Sequence, residues 1–171
     1  MDRMQINKAV AVAIGALLGM TAGAALAQTS TDDFQVRITI EKSCQVESAQ
    51  TTDMEFGTRQ LLNTTFEAES AIAVTCTTGV PYTVALNAGS HASGGDTTTR
   101  HMAKGSELIA YDLFQDQGRT THWGTVAGGA SLGLTGTGVT QTHPVYGKVP
   151  AGQTTPSVGL YTDTITVEVA Y

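Results

Sequence analysis

Near each end of this sequence, apolar side chains fall on every second residue. Phe34, Val36, Ile38 and Ile40 alternate with Gln35, Arg37, Thr39 and Glu41, and Ile165, Val167, Val169 and Tyr171 alternate with Thr166, Glu168 and Ala170. A period of two places every apolar residue on one face of a strand and cannot form the stripe of a helix. Shorter stretches between them repeat the pattern: residues 44–46, 54–56, 71–76, 82–86, 108–114 and 145–149. Residues 71–76 and 82–86 read as a hairpin around the Gly79-Val80-Pro81 turn, and 108–114 as a central strand closed by the turn at 115–118. Residues 87–99 are a loop by composition, and the Gly- and Thr-rich stretch 124–138 reads as a loop or irregular hairpin. The chain has 19 glycines, which together with abundant threonine disfavour helix interiors. No internal repeat and no dividing linker is visible. The expected fold is one all-β sandwich.

The first 27 residues stand apart. Arg3 and Lys8 precede an uncharged apolar run ending in Ala25-Leu26-Ala27. A charged start, an apolar core and a small-x-small site make a secretory signal peptide. The run is nearly long enough to span a bilayer, but its Ala and Gly make it weakly hydrophobic and no stop-transfer charges follow. The exported domain would then begin at Gln28. Only 14% of residues are charged, and the formal net charge is -6, so the basic stripe that nucleic acid requires is missing. Cys44 and Cys76 most economically form one disulfide in an oxidising compartment. A metal pair or a reactive thiol is the alternative, although neither a C-x-x-C nor histidines at ligand spacing support a metal.

The catalytic candidates lack context. Gly129-Ala130-Ser131-Leu132-Gly133 matches the G-x-S-x-G elbow, but no helix formers follow it and no acid separates Ser131 from His143. His91, His101, His122 and His143 are scattered, as histidines that bind no metal usually are. Asp112 belongs to an alternating strand, and Asp116 opens a turn. The glycines at 133, 136 and 138 lack the strand–loop–helix setting of a phosphate cradle. No enzyme, metal site, cofactor or small-molecule substrate is expected. Asn63-Thr64-Thr65 fits the N-glycosylation pattern, which means little if the producer is a bacterium.

The two terminal strands point elsewhere. Both could be ordinary members of a closed sandwich. Alternatively, an extended segment of one chain could complete the sheet of another, with backbone bonds giving affinity and alternate side chains filling pockets. The C-terminal stretch has one charge, Glu168, and no proline, so it lacks the usual devices that blunt an open edge.

In this setting the sequence resembles the spore coat protein U domain family, the subunit type of archaic chaperone–usher pili. The resemblance runs through the strand before Cys44, Phe56-Gly57, Val74-Thr75-Cys76 and Gly79-Val80-Pro81-Tyr82. It continues in Arg100-His101-Met102, the stretch from Leu108 to Asp116, Trp123-Gly124, the stretch from Val145 to Gln153, and Gly159 to Val167. It implies an immunoglobulin-like sandwich that is incomplete and receives a donor strand from another subunit. Residues 28–41 would be the donor extension, with Phe34, Val36, Ile38 and Ile40 as its anchors, and residues 42–171 the sandwich. Ile165, Val167, Val169 and Tyr171 would border the acceptor groove and bind a periplasmic chaperone, with Glu168 facing away. Cys44 and Cys76 would tie the first strand to the body.

The implied partners are that chaperone, an outer-membrane usher and neighbouring pilin subunits, in a homo- or heteropolymer. The implied route is export to the periplasm and then to a cell-surface pilus that supports adhesion and biofilm. Two alternatives stand beside it. One is a self-complemented secreted coat protein. The other is a carbohydrate-binding sandwich with Trp123 and Tyr111 as a stacking face.

Overall fold

The computed structural model describes residues 28–154 and 156–171, so the expected signal peptide lies outside the described residues. The chain divides into a unit ending at Ile38 and a larger unit, Thr39–Tyr171. In the first, residues 28–38 are exposed and belong to no strand. The alternation at 34–40 predicts a strand, but a strand needs a partner for its backbone, and the structure assigns it none.

The larger unit is all-β. Its strands are β1 (Cys44–Val46), β2 (Phe66–Cys76), β3 (Pro81–Leu86), β4 (His101–Lys104), β5 (Glu107–Ala110), β6 (Asp112–Phe114), β7 (Leu132–Thr135), β8 (Thr140–Val149) and β9 (Val167–Ala170). They form a four-stranded sheet ordered β1-β2-β8-β6, a three-stranded sheet ordered β7-β3-β9, and the hairpin β4-β5. The backbone of the first sheet is the β2–β8 pair, antiparallel from Phe66↔Val149 to Thr75↔Thr140. Pro144 sits within β8, yet β6 reaches only Tyr146, Gly147 and Lys148. At Pro144 one side of β8 is therefore open, where a missing N–H is tolerated.

Four expectations change in detail. Residues 71–76 and 82–86 do not form a hairpin; they lie in different sheets. Gly79 N donates to the Gly136 carbonyl and Gly136 N to the Val80 carbonyl, which leads the chain away from β2 and across to the second sheet. Gly136 is required there, because a Cβ would run into the Thr77 carbonyl and the Cys76 side chain. The 108–114 stretch is not one central strand. It breaks at Tyr111 into β5, paired with β4, and β6, at the edge of the larger sheet. Residues 54–56 are not a strand, although Met54 and Phe56 pack against the core, and the 124–138 loop contains β7.

Both sheets contribute to one core. Ile72, Val74 and Val145 from the first meet Val84 and Leu86 from the second around Trp123, which is fully buried. The Trp123 indole N–H donates to the Val84 carbonyl at 3.0 Å, satisfying the polar atom that such a ring brings inside. Tyr82 and Trp123 turn what would be plain hydrophobic packing into a polar-indexed core. The Tyr82 hydroxyl of β3 shares a 3.0 Å hydrogen bond with His143 Nε2 of β8, so it bridges the two sheets.

Burial lowers the His143 pKa below its ordinary value of 6.5. The unfolded chain then binds a proton that the folded chain resists. The stability gained from the neutral imidazole is complete above the unfolded pKa and is lost as pH falls from there through the lower folded value. Thermal unfolding of residues 28–171 should therefore occur a few degrees lower at pH 5 than at pH 7. His143→Gln, which does not titrate, should reduce that drop. An equal drop in both proteins would show that His143 does not carry the effect.

Candidate functional site: an open sheet margin

The C-terminal strand keeps the alternation of the sequence. Ile165, Val167 and Val169 are half-buried and pack against the core, whereas Thr166, Glu168 and Ala170 are exposed. β9 pairs with β3 from Leu86↔Val167 to Thr83↔Ala170. On its other side no strand pairs with it among the described residues. β1 is likewise paired on one side only, with β2. These two edges adjoin, with Cα atoms of β1 and β9 within 8 Å of each other. Each edge strand aims alternate N–H and C=O groups outward, where they can accept a further strand.

The disulfide fixes one wall of this margin. Cys44 and Cys76 are bonded and stand opposite each other in the β1–β2 register. A strand of only three residues is thereby held covalently to the longest strand of the sheet. Closing the intervening loop stabilises the fold by ~3–4 kcal/mol on a chain-entropy estimate. At the far end, Lys42 Nζ donates to the Tyr171 carbonyl at 3.2 Å and lies 5.8 Å from the centre of the Tyr171 ring. Tyr171 is half exposed and lies beyond β9, so of the four expected groove residues it is the least enclosed.

The segment entering β9 is held by polar contacts. Thr162 exchanges two backbone hydrogen bonds with Ala103, at 2.9 and 3.1 Å. The Asp163 carboxylate accepts hydrogen bonds from the Tyr111 hydroxyl at 2.7 Å and the Ser90 N–H at 2.8 Å. His91 Nδ1 lies 3.1 Å from the same carboxylate. Gly89 lies against the carboxylate so closely that a Cβ would collide with Asp163 Oδ2. Burial pushes the Asp163 pKa up, but the hydrogen bonds from Tyr111, Ser90, Thr164 and His91 outweigh it and leave the carboxyl below its usual range. Burial, with Asp163 alongside, pushes the Tyr111 phenol well up, so it remains a donor.

Thr166 is bracketed by Asn87. The Asn87 N–H donates to the Thr166 carbonyl at 3.1 Å, and the Asn87 Oδ1 accepts from the Thr166 N–H at 2.9 Å. The Asn87 backbone carbonyl in turn accepts Arg100 Nε at 3.0 Å and Nη2 at 2.6 Å. Arg100 is fully buried, and burial lowers its pKa against the opposing charges nearby. Sequence reasoning missed Asn87, Arg100 and Asp163. The resemblance runs through Arg100 and through the stretch that holds Asp163 without giving either a role, and Asn87 has only its place immediately after β3 as a signal.

The other candidates are placed without forming a catalytic set. Ser131 immediately precedes β7, a setting opposite to the strand–turn–helix of a nucleophile elbow. Asp116 accepts hydrogen bonds from the Thr120 and Thr121 N–H groups within its own turn. Among the described residues no three His, Cys, Asp or Glu side chains are grouped as a metal site. Trp123 and Tyr111 are both buried, so neither offers the stacking face that carbohydrate binding would need.

A family model described as the Spore Coat Protein U domain matches residues 30–168. Protein U of Myxococcus xanthus is 28% identical over 178 residues, covering 97% of this chain and 98% of that protein. Among solved structures, the chain resembles one in the complex of the CsuC chaperone with the CsuE tip adhesion subunit, from archaic chaperone–usher Csu pili of Acinetobacter baumannii. That match has a TM-score of 0.55 and 24% identity, and it covers 78% of this chain and 40% of the other. This chain thus shares that fold while spanning well under half the length of the matched chain.

The two faces of β9 should respond differently to substitution. Val169→Asp places a charge against the core and should destabilise the fold by about 3 kcal/mol or more. Glu168→Ala, on the exposed face, should stay within about 0.5 kcal/mol. Urea unfolding midpoints distinguish the two, and similar shifts would mean that β9 is not packed as described.

Proposed function

The chain belongs to the Spore Coat Protein U domain family, and we propose that it is a structural subunit of a surface pilus assembled by the chaperone–usher pathway, linked by donor-strand exchange. The observation that carries this reading is the exposure of Phe34, Val36, Ile38 and Ile40, at 86%, 84%, 85% and 71%. Four large apolar residues on one face of an unpaired segment are costly in water and unusual on a monomer. Seating them in a groove would gain ~1.5–3 kcal/mol each, or on the order of 6–12 kcal/mol before ordering costs.

In this reading residues 28–41 leave the body of their own subunit and pair with the open margin of β1 and β9 in the next. Ile165, Val167, Val169 and Tyr171 line the receiving side. A periplasmic chaperone covers that margin first, an outer-membrane usher directs the exchange, and residues 1–27 direct export. The contact is head-to-tail and does not close on itself, so it builds a filament, which serves adhesion and biofilm. A strand paired with both edges needs about 9–10 Å between them, twice the spacing of neighbouring strands. Since Cα atoms of β1 and β9 approach within 8 Å, donor entry would part them.

A second reading has support from one observation. Protein U matches this chain over nearly the whole length of both proteins, which leaves room for a self-complemented coat-like protein; that reading requires residues 34–40 to pair within their own chain, whereas here they are exposed and belong to no strand.

Deleting residues 28–41 separates the two. Pilus assembly predicts loss of polymers with chaperone capture retained. Filaments formed by the deleted protein would contradict donor-strand exchange. Ile38→Asp alone should slow polymer formation at least about tenfold, by burying an unpaired charge in the groove.

A further inference from the structure

The approach to β9 contains more polar anchoring than a strand held by its sheet would need. Thr162, Asp163 and Thr166 are tied to three separate places: Ala103 in β4, the 87–91 loop, and Tyr111 between β5 and β6. These contacts lie at the start of β9 and leave its outer edge untouched. Asn87 also takes Arg100, a fully buried cation, on its backbone carbonyl, so the loop that grips Thr166 is itself pinned from inside the fold.

We propose that Asp163 and Asn87 are positioning residues for strand addition: they form a polar bracket that holds β9 in register while its outer edge has no partner. An edge strand with one neighbour would otherwise fray or slip, and a slip of one residue would turn Val167 and Val169 away from the core. The bracket supplies from the side what a second neighbouring strand would supply from the edge. It preorganises the edge, so that an incoming strand does not bear the ordering cost. The role of the edge rests on the pilus reading; the mechanical role of the bracket does not.

Tyr111 and Asp163 allow conservative tests. Asp163→Asn preserves shape but loses the charge that strengthens its hydrogen bonds. Tyr111→Phe preserves the buried ring and removes one donor. The measurement is amide hydrogen exchange on residues 28–171, resolved for residues 162–170 and, as an internal reference, for β2 and β8. Asp163→Asn should raise exchange across 162–170 about tenfold or more. Tyr111→Phe should raise it less, and β2 and β8 should hold their protection in both. Unchanged exchange at 162–170 would overturn the bracket, as would a parallel rise in β2 and β8, which would report general destabilisation. Because the readout needs no polymer, failure of the deletion experiment on 28–41 would remove the pilus reading and leave this result interpretable. Conversely, an Asp163→Asn protein that assembles normally with β9 protection intact would remove the bracket alone.

Discussion

Backbone N–H and C=O groups on the outer edges of β1 and β9 have no partner strand among the described residues. Such groups must pair or face water, and here they border an apolar core into which Ile165, Val167 and Val169 reach only halfway. Much of the remaining architecture is arranged around that condition. The disulfide fixes the three-residue β1 to β2, the polar contacts at Asp163 and Asn87 fix the start of β9, and the long β2–β8 ladder provides a frame that neither edge supplies.

The core shows how the two sheets are kept aligned despite an unpaired margin. Hydrophobic burial alone is non-directional. Trp123 and Tyr82 add direction, since each ties its ring to a defined atom: the Val84 carbonyl for one and His143 Nε2 for the other. Arg100 has the same effect beneath the 87–91 loop. A buried guanidinium held by backbone carbonyls is expensive to misplace, so the loop that grips Thr166 has little freedom. Order at the margin is thus built from polar groups inside and beside the fold.

Much of this was legible in the sequence, for physical reasons. Period-two alternation located β9 and the inward and outward faces of its side chains, and two cysteines behind an expected signal peptide indicated one bond. The resemblance through Trp123-Gly124 and the stretch after Gly159 gave the architecture. Pairing was not legible. Residues 71–76 and 82–86 look like a hairpin because a turn separates them, yet Gly136 intercepts the connection and carries it to the other sheet. The 108–114 stretch looks continuous because its apolar residues are contiguous, yet its two halves pair with different strands, β5 with β4 and β6 with β8, on either side of Tyr111. Local pattern specifies the faces of a strand; the identity of its neighbour depends on residues far away in the chain. For the same reason residues 34–40 have the pattern of a strand without the structure of one.

The proposal that one subunit completes another rests on two open sheet edges and an unpaired amphipathic segment in one chain. Electrophoresis of the exported material in detergent, with and without heating, tests it most directly. Strand-linked subunits should resist detergent and run as a ladder of multiples that collapses to one band only at high temperature, because dissociation requires many backbone bonds and four buried anchors to be lost together. A single monomer band before heating, from material that is assembled in the absence of detergent, would contradict it.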